Sequence, residues 1–315
     1  MKIKRTLFLL LKISISILIL AWLAKDLNFS KILDNLQLLP IWAWFAALYT
    51  YLLAQILSSL RWQLIAQSLN LHGTFSQFLD WYFLGMFFNL FLPTGMGGDA
   101  VKSYHLGKYH SKHLNAAYSI LFDRLTGLCA LLIICAFALW HVTLDSTLNK
   151  LIIAAIALSI SGFLFAPGLL KLLQKALPKL RPWISPLQQL YQNPKRLILI
   201  FLMAIIIQLI GLGIVIGLGT LISIDLSWSF YIVSWTLITL TTLLPISING
   251  LGVREAGFVY LFQTQQIASE QAITLSLLTF IIPLLASLFG LVPFFSLNSK
   301  AVSNLKARQA QSTAN

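Results

Sequence analysis

Residues 197–224, LILIFLMAIIIQLIGLGIVIGLGTLISI, run without one charged side chain. As a helix rising about 1.5 Å per residue, such a run is long enough to cross a hydrocarbon core of roughly 30 Å. The rest of the chain agrees: of its 315 residues 58% are apolar and only 10% charged, and the mean hydropathy is +0.83. Those values lie outside the range of soluble globular domains. The sequence therefore predicts an all-α polytopic membrane protein. No segment between apolar runs exceeds about 30 residues, too few for a Rossmann, P-loop or acyltransferase domain of roughly 100 residues.

Full spans are expected at about 6–24, 41–60, 114–140, 150–172, 197–222 and 271–297, giving one transmembrane domain over 1–297 and a short basic tail over 298–315. The first run follows basic residues as a secretory signal would, but it ends in Ala24-Lys25-Asp26-Leu27 without a small-residue cleavage site and reads as a retained span. Cys129 and Cys135 share one apolar run, where packing is their expected role. The net charge of +13 does not call for a nucleic-acid partner once the cations are placed against the spans. With both termini cytoplasmic, sixteen Lys and Arg fall inside and only Lys25, Lys31 and Lys150 outside. That asymmetry is the positive-inside pattern, together with contact to an anionic membrane surface. The proline-broken basic stretch from Lys171 to Arg196 reads as an interfacial segment on anionic lipid.

Two stretches, about 75–101 and 229–268, do not fit as single spans. The flanking charges require each to enter and leave on the same side, the first from the cytoplasm and the second from outside. Residues 253–268 are too short and too polar to cross alone. Two re-entrant hairpins are therefore expected. Their turns, 92-LPTGMGGDAVK-102 and 244-LPISINGLGVR-254, align without a gap at an offset of 152 residues. Pro93 falls on Pro245, Gly98 on Gly250 and Lys102 on Arg254. Hairpins entered from opposite faces suggest an inverted repeat, a common transporter architecture.

Pro93, Gly97 and Gly98 in the first turn, and Pro245, Gly250 and Gly252 in the second, are the expected hinge residues. A helix restarting after such a break presents free N–H groups and a positive dipole end, which suits an anion. Lys102 and Arg254 would add full charges against a phosphate. Asp99 and Glu255 have two readings. One makes Asp99 a helix N-cap and Glu255 the partner of a neighbouring cation; in the other the carboxylates face a cationic part of the same substrate. Asp123 and Arg124 are adjacent in one span and diverge by about 100°, so each needs a partner on another helix. The candidates are Lys102 or Arg254 for Asp123, and Asp99 or Glu255 for Arg124, forming either a structural network or a headgroup site. Arg61 beside Trp62 reads as a snorkelling cation in an aromatic belt. Lys12 reads as snorkelling too. His105, His110 and His113 lack the carboxylate and spacing of a metal site and read as a basic surface strip.

Phe87-Phe88-Asn89-Leu90-Phe91-Leu92-Pro93 with Gly97-Gly98-Asp99, then 122-FDRLTGL-128, then Pro245 with 250-GLGVRE-255, resemble the lysylphosphatidylglycerol synthase transmembrane-region family. This is the flippase half of the bacterial multiple peptide resistance factor, also found as stand-alone flippase-like proteins. The resemblance extends over about residues 8–297. It implies a bacterial cytoplasmic (inner) membrane location, phospholipid as substrate, a link to antimicrobial peptide resistance, and partnership with a separate lipid-modifying synthase. The family's lysine-transferring cytoplasmic domain is expected to be absent, since the chain ends about 18 residues after its last span. No nucleophile motif, Walker lysine or metal signature is present, so neither a catalytic residue nor a cofactor is expected. Three classes remain open: a lipid flippase binding headgroups through Asp99, Lys102, Asp123, Arg124, Arg254 and Glu255, a small-solute carrier, and a membrane-embedded lysyltransferase. The sequence favours the first.

Overall fold

Within hydrocarbon every backbone N–H and C=O must be satisfied inside its own segment, which selects helices for apolar runs of this length. A computed structural model describes residues 2–25, 27–92, 97–142, 146–244 and 246–296. Pro93, Pro245 and the tail 298–315 lie outside the described residues. Among those described there are twelve α-helices and no strand.

Four helices are long and apolar enough to span: α3 (Ile41–Ser68), α6 (His113–Leu139), α9 (Pro194–Leu221) and α12 (Ser269–Ser287), the last continued through a 3-10 turn to Ser296. Two more spans form if bent pairs are joined. The first combines α1 (Lys2–Ala24) with α2 (Phe29–Gln37) across an 88° bend; the second is α7 (Ser146–Ala176), bent by 58° between Phe163 and Phe165. Pro167 explains the second bend, because its ring clashes with the carbonyl of Phe163 and it has no N–H to offer. The first bend is fixed by Asn28, whose side chain accepts the N–H groups of Ser30 and Lys31 at 3.0 and 3.4 Å and so starts α2. That helix buries Ile32 and exposes Phe29 and Leu33. Its amphipathic pattern is hidden in the sequence by its nine-residue length.

Both unusual stretches are helix-break-helix units. The first is α4 (Phe75–Phe91) and α5 (Gly97–His110), the second α10 (Trp228–Leu243) and α11 (Val253–Gln263). A Cβ on Gly98 would lie 2.0 Å from the carbonyl oxygen of Gly85, and one on Gly85 2.7 Å from that of Gly98. The α4–α5 hairpin is thus closed backbone to backbone. In the second unit Asn249, Gly250 and Gly252 have φ of 50°, 79° and 83°, a left-handed path that glycine and asparagine adopt most readily. The short helix α8 (Arg181–Gln189) follows α7.

Lys31 approaches Glu270 at 3.9 Å, and Asn115 donates to the carbonyl of Leu69 at 3.2 Å. Exposed Trp42, Phe45 and Tyr49 on α3 present an apolar flank suited to lipid.

Candidate functional site

Three ionic clusters lie within the bundle, two where a broken helix meets a long one and one between two long helices. In the first, Asp99 sits in the opening turn of α5, which begins at Gly97. It is therefore inside the helix and is not its N-cap. Its Oδ1 lies 2.7 Å from Lys102 Nζ and its Oδ2 2.8 Å from Arg124 Nε. Lys102 also lies 4.5 Å from the Tyr82 ring centroid, a cation–π contact that helps offset its desolvation. The amide of Gly98, which a helix start would leave without a partner, is taken by Asn89 Oδ1 at 2.6 Å.

In the second cluster Arg61 Nε pairs with Asp123 Oδ1 at 2.9 Å, and Arg61 Nη2 reaches the Asp123 carbonyl at 3.4 Å. This corrects three expectations. Asp123 does not pair with Lys102 or Arg254. Arg61 does not snorkel, for it is 6% exposed because α3 continues to Ser68 and holds it inside the bundle. Trp62 is no belt residue either: it is fully buried and donates to Ser119 Oγ at 3.0 Å. Lys12 is likewise buried and not snorkelling.

The third cluster closes on itself. Glu255 Oε2 accepts the amide of Gly252 at 2.7 Å, while Oε1 accepts from Arg254 Nη2 at 2.6 Å and from Ser276 Oγ at 3.1 Å. Arg254 also lies 5.0 Å from the Phe280 ring. Glu255 thus caps α11 and pairs with the neighbouring cation. Both carboxylates in the hairpins are held by groups of the protein itself, so the structure gives no support to the reading in which they face a substrate cation.

Of the six expected site residues, Asp99, Lys102 and Arg124 come together, Asp123 stands behind them with Arg61, and Arg254 and Glu255 form a separate pair. Arg124 differs from the rest. It sits eleven residues after the start of the 27-residue α6, yet its side chain is 53% exposed. With Nε on Asp99, its terminal nitrogens have no hydrogen-bond partner among the described residues. Tyr51 and Tyr82 lie within electrostatic reach of it. Sequence reasoning gave Arg61 the wrong role; the signal for the right one was Asp123, a carboxylate at helical depth that needs a cation.

Near the start of α5 an open recess of about 450 Å³ is lined by Phe88, Leu92, Gly97, Ala100, Val101, Tyr104 and His105. The histidines do not gather: among the described residues no three His, Cys, Asp or Glu side chains are placed to hold a metal.

Comparison with known families gives a match to the one described as Lysylphosphatidylglycerol synthase TM region, over residues 9–290. Neither a curated protein nor a solved structure matches.

Proposed function

The chain belongs to the lysylphosphatidylglycerol synthase transmembrane-region family, and from that premise we propose that it binds the phosphate of a phospholipid headgroup at Arg124 and carries that headgroup across the bilayer. The charge balance supports this reading. Arg61 with Asp123 and Arg254 with Glu255 are each neutral, whereas Asp99 with Lys102 and Arg124 leaves one positive charge. That surplus sits at the one guanidinium among these groups that is more than half exposed.

An arginine facing bare hydrocarbon at mid-helix costs about 2.5–3.5 kcal/mol on insertion scales. An anion against it removes that cost, and the planar fork of a guanidinium matches two phosphate oxygens. One phosphodiester, as in phosphatidylglycerol or its lysyl ester, neutralises the surplus. Reading the phosphate would admit lipids with and without an amine.

The test is leaflet-resolved lipid exchange in proteoliposomes containing only this chain. Faster exchange of phosphatidylglycerol and lysylphosphatidylglycerol, with no acceleration of a neutral glycolipid, is expected. Equal acceleration of all three would show a nonspecific leak and refute the reading.

A further inference from the structure

We infer that the break between α10 and α11 is a binding site for a small monovalent cation, of the size and charge of Na⁺. Two side-chain oxygens there are buried with no hydrogen-bond partner, Ser247 Oγ and Asn249 Oδ1. Buried polar atoms without partners carry a desolvation cost that native proteins rarely leave uncompensated. Ser247 as a whole is only 7% exposed.

The surrounding hydrogen bonds define what these oxygens can accept. Asn249 directs its amide Nδ2 to the carbonyl of Asn89 at 3.3 Å, which turns Oδ1 the other way. Between the two residues, the amide of Ile248 is spent on Ser16 Oγ of α1 at 3.3 Å. The main-chain oxygens of Ser247 and Asn249 accept no hydrogen bond among the described residues. The left-handed turn at Asn249 and Gly250 thus carries these oxygens on a segment where the Ile248 amide and Asn249 Nδ2 are already engaged.

The chemistry of that donor set selects the ligand. Hydroxyl, amide and carbonyl oxygens are hard ligands, and without a carboxylate they do not suit Ca²⁺ or Mg²⁺. An anion does not suit Asn249 Oδ1, which offers only lone pairs. The helix dipole suits a cation as well: the break follows the C-terminal, negative end of α10. The opposing N-terminus of α11 is capped by Glu255, which takes the Gly252 amide at 2.7 Å and forms a neutral pair with Arg254. A bulky lipid ammonium could not reach oxygens this deeply buried. Unwound segments that coordinate Na⁺ through such oxygens are a recurrent transporter device. Given the lipid-translocation reading above, this is the ion whose gradient drives the step.

The experiment measures saturable binding of radioactive sodium to the purified full chain in detergent, with K⁺ as competitor. Binding at one site is expected, weakened about tenfold or more in Ser247→Ala and in Asn249→Gly, which keeps the left-handed turn; a lost ligand to a charged group is worth roughly that factor. Ser247→Thr, which retains the hydroxyl, should bind as wild type. No saturable binding, or binding unchanged in Ser247→Ala and Asn249→Gly, overturns the site. A second arm imposes a Na⁺ gradient across proteoliposomes. Lipid exchange that ignores the gradient overturns the coupling while the site stands, and absence of lipid exchange under every condition overturns the translocation reading instead.

Discussion

Asn249 donates through Nδ2 to the main-chain oxygen of Asn89 at 3.3 Å, and so joins the broken segment of the second hairpin to the end of α4 in the first. Asn89 in turn receives the amide of Gly98 on its side chain. One residue thus connects the end of α4, the start of α5 and the α10–α11 break. The two hairpins are linked through hydrogen bonds of Asn89.

The closest approach in the first hairpin gives a packing prediction. Gly98→Ala places a methyl against the Gly85 carbonyl at 2.0 Å, forcing α4 and α5 apart at about 1–3 kcal/mol or more. Gly213→Ala on α9, where nothing lies within 4 Å, should be neutral or gain up to about 1 kcal/mol. Thermal unfolding in detergent compares the two; equal melting temperatures would refute the close packing.

Arg61 and Asp123 predict a structural phenotype. Removing one partner leaves an uncompensated buried charge, so Arg61→Ala should destabilise by about 3–5 kcal/mol, and Arg61→Met with Asp123→Asn should recover much of that loss. Unfolding free energies of the singles and the double supply the coupling. Additive losses would show that the pair carries no structural energy.

Glu255 should behave in the same way as Arg61. With both oxygens engaged by Gly252, Arg254 and Ser276, Glu255→Gln should lower stability and leave lipid exchange per folded molecule nearly intact. Loss of exchange in a protein that melts as wild type would instead place Glu255 in the substrate site.

Much of this fold was legible because bilayer thickness restricts what an apolar run can do. The long helices α3, α6, α9 and α12 fall where the most apolar stretches do, and both breaks fall at the Leu-Pro turns. The cost of a lone charge at depth required a partner for Arg124 and left Asp99 or Glu255 open; the partner is Asp99. Arg61 was misread because hydropathy ends the span near residue 60, whereas packing around fully buried Trp62 and Ile65 carries the helix to Ser68. The pairing of Glu255 with Arg254 was open because adjacent helical residues ordinarily diverge; here Arg254, the second residue of α11, folds back over the helix start. Helix α2 escaped notice because a nine-residue amphipathic segment has the composition of a polar loop.

Topology is tested in a background lacking Cys129 and Cys135, with single cysteines at Ser103 and Ser269. The charge asymmetry predicts cytoplasmic labelling at Ser103 on α5 and extracellular labelling at Ser269, the first residue of α12. The reverse pattern would invert the protein, and a common face for both would abolish the opposed hairpins.

The most direct measurement compares leaflet exchange of phosphatidylglycerol by wild type, Arg124→Lys and Arg124→Gln in proteoliposomes of matched protein content. Arg124→Gln should lose at least about tenfold, the worth of one charge-assisted contact, and Arg124→Lys should retain part, keeping the charge without the fork. Melting temperatures should stay close to wild type, since the side chain is half exposed. Undiminished exchange by Arg124→Gln would contradict the assignment of Arg124 as the phosphate-binding group.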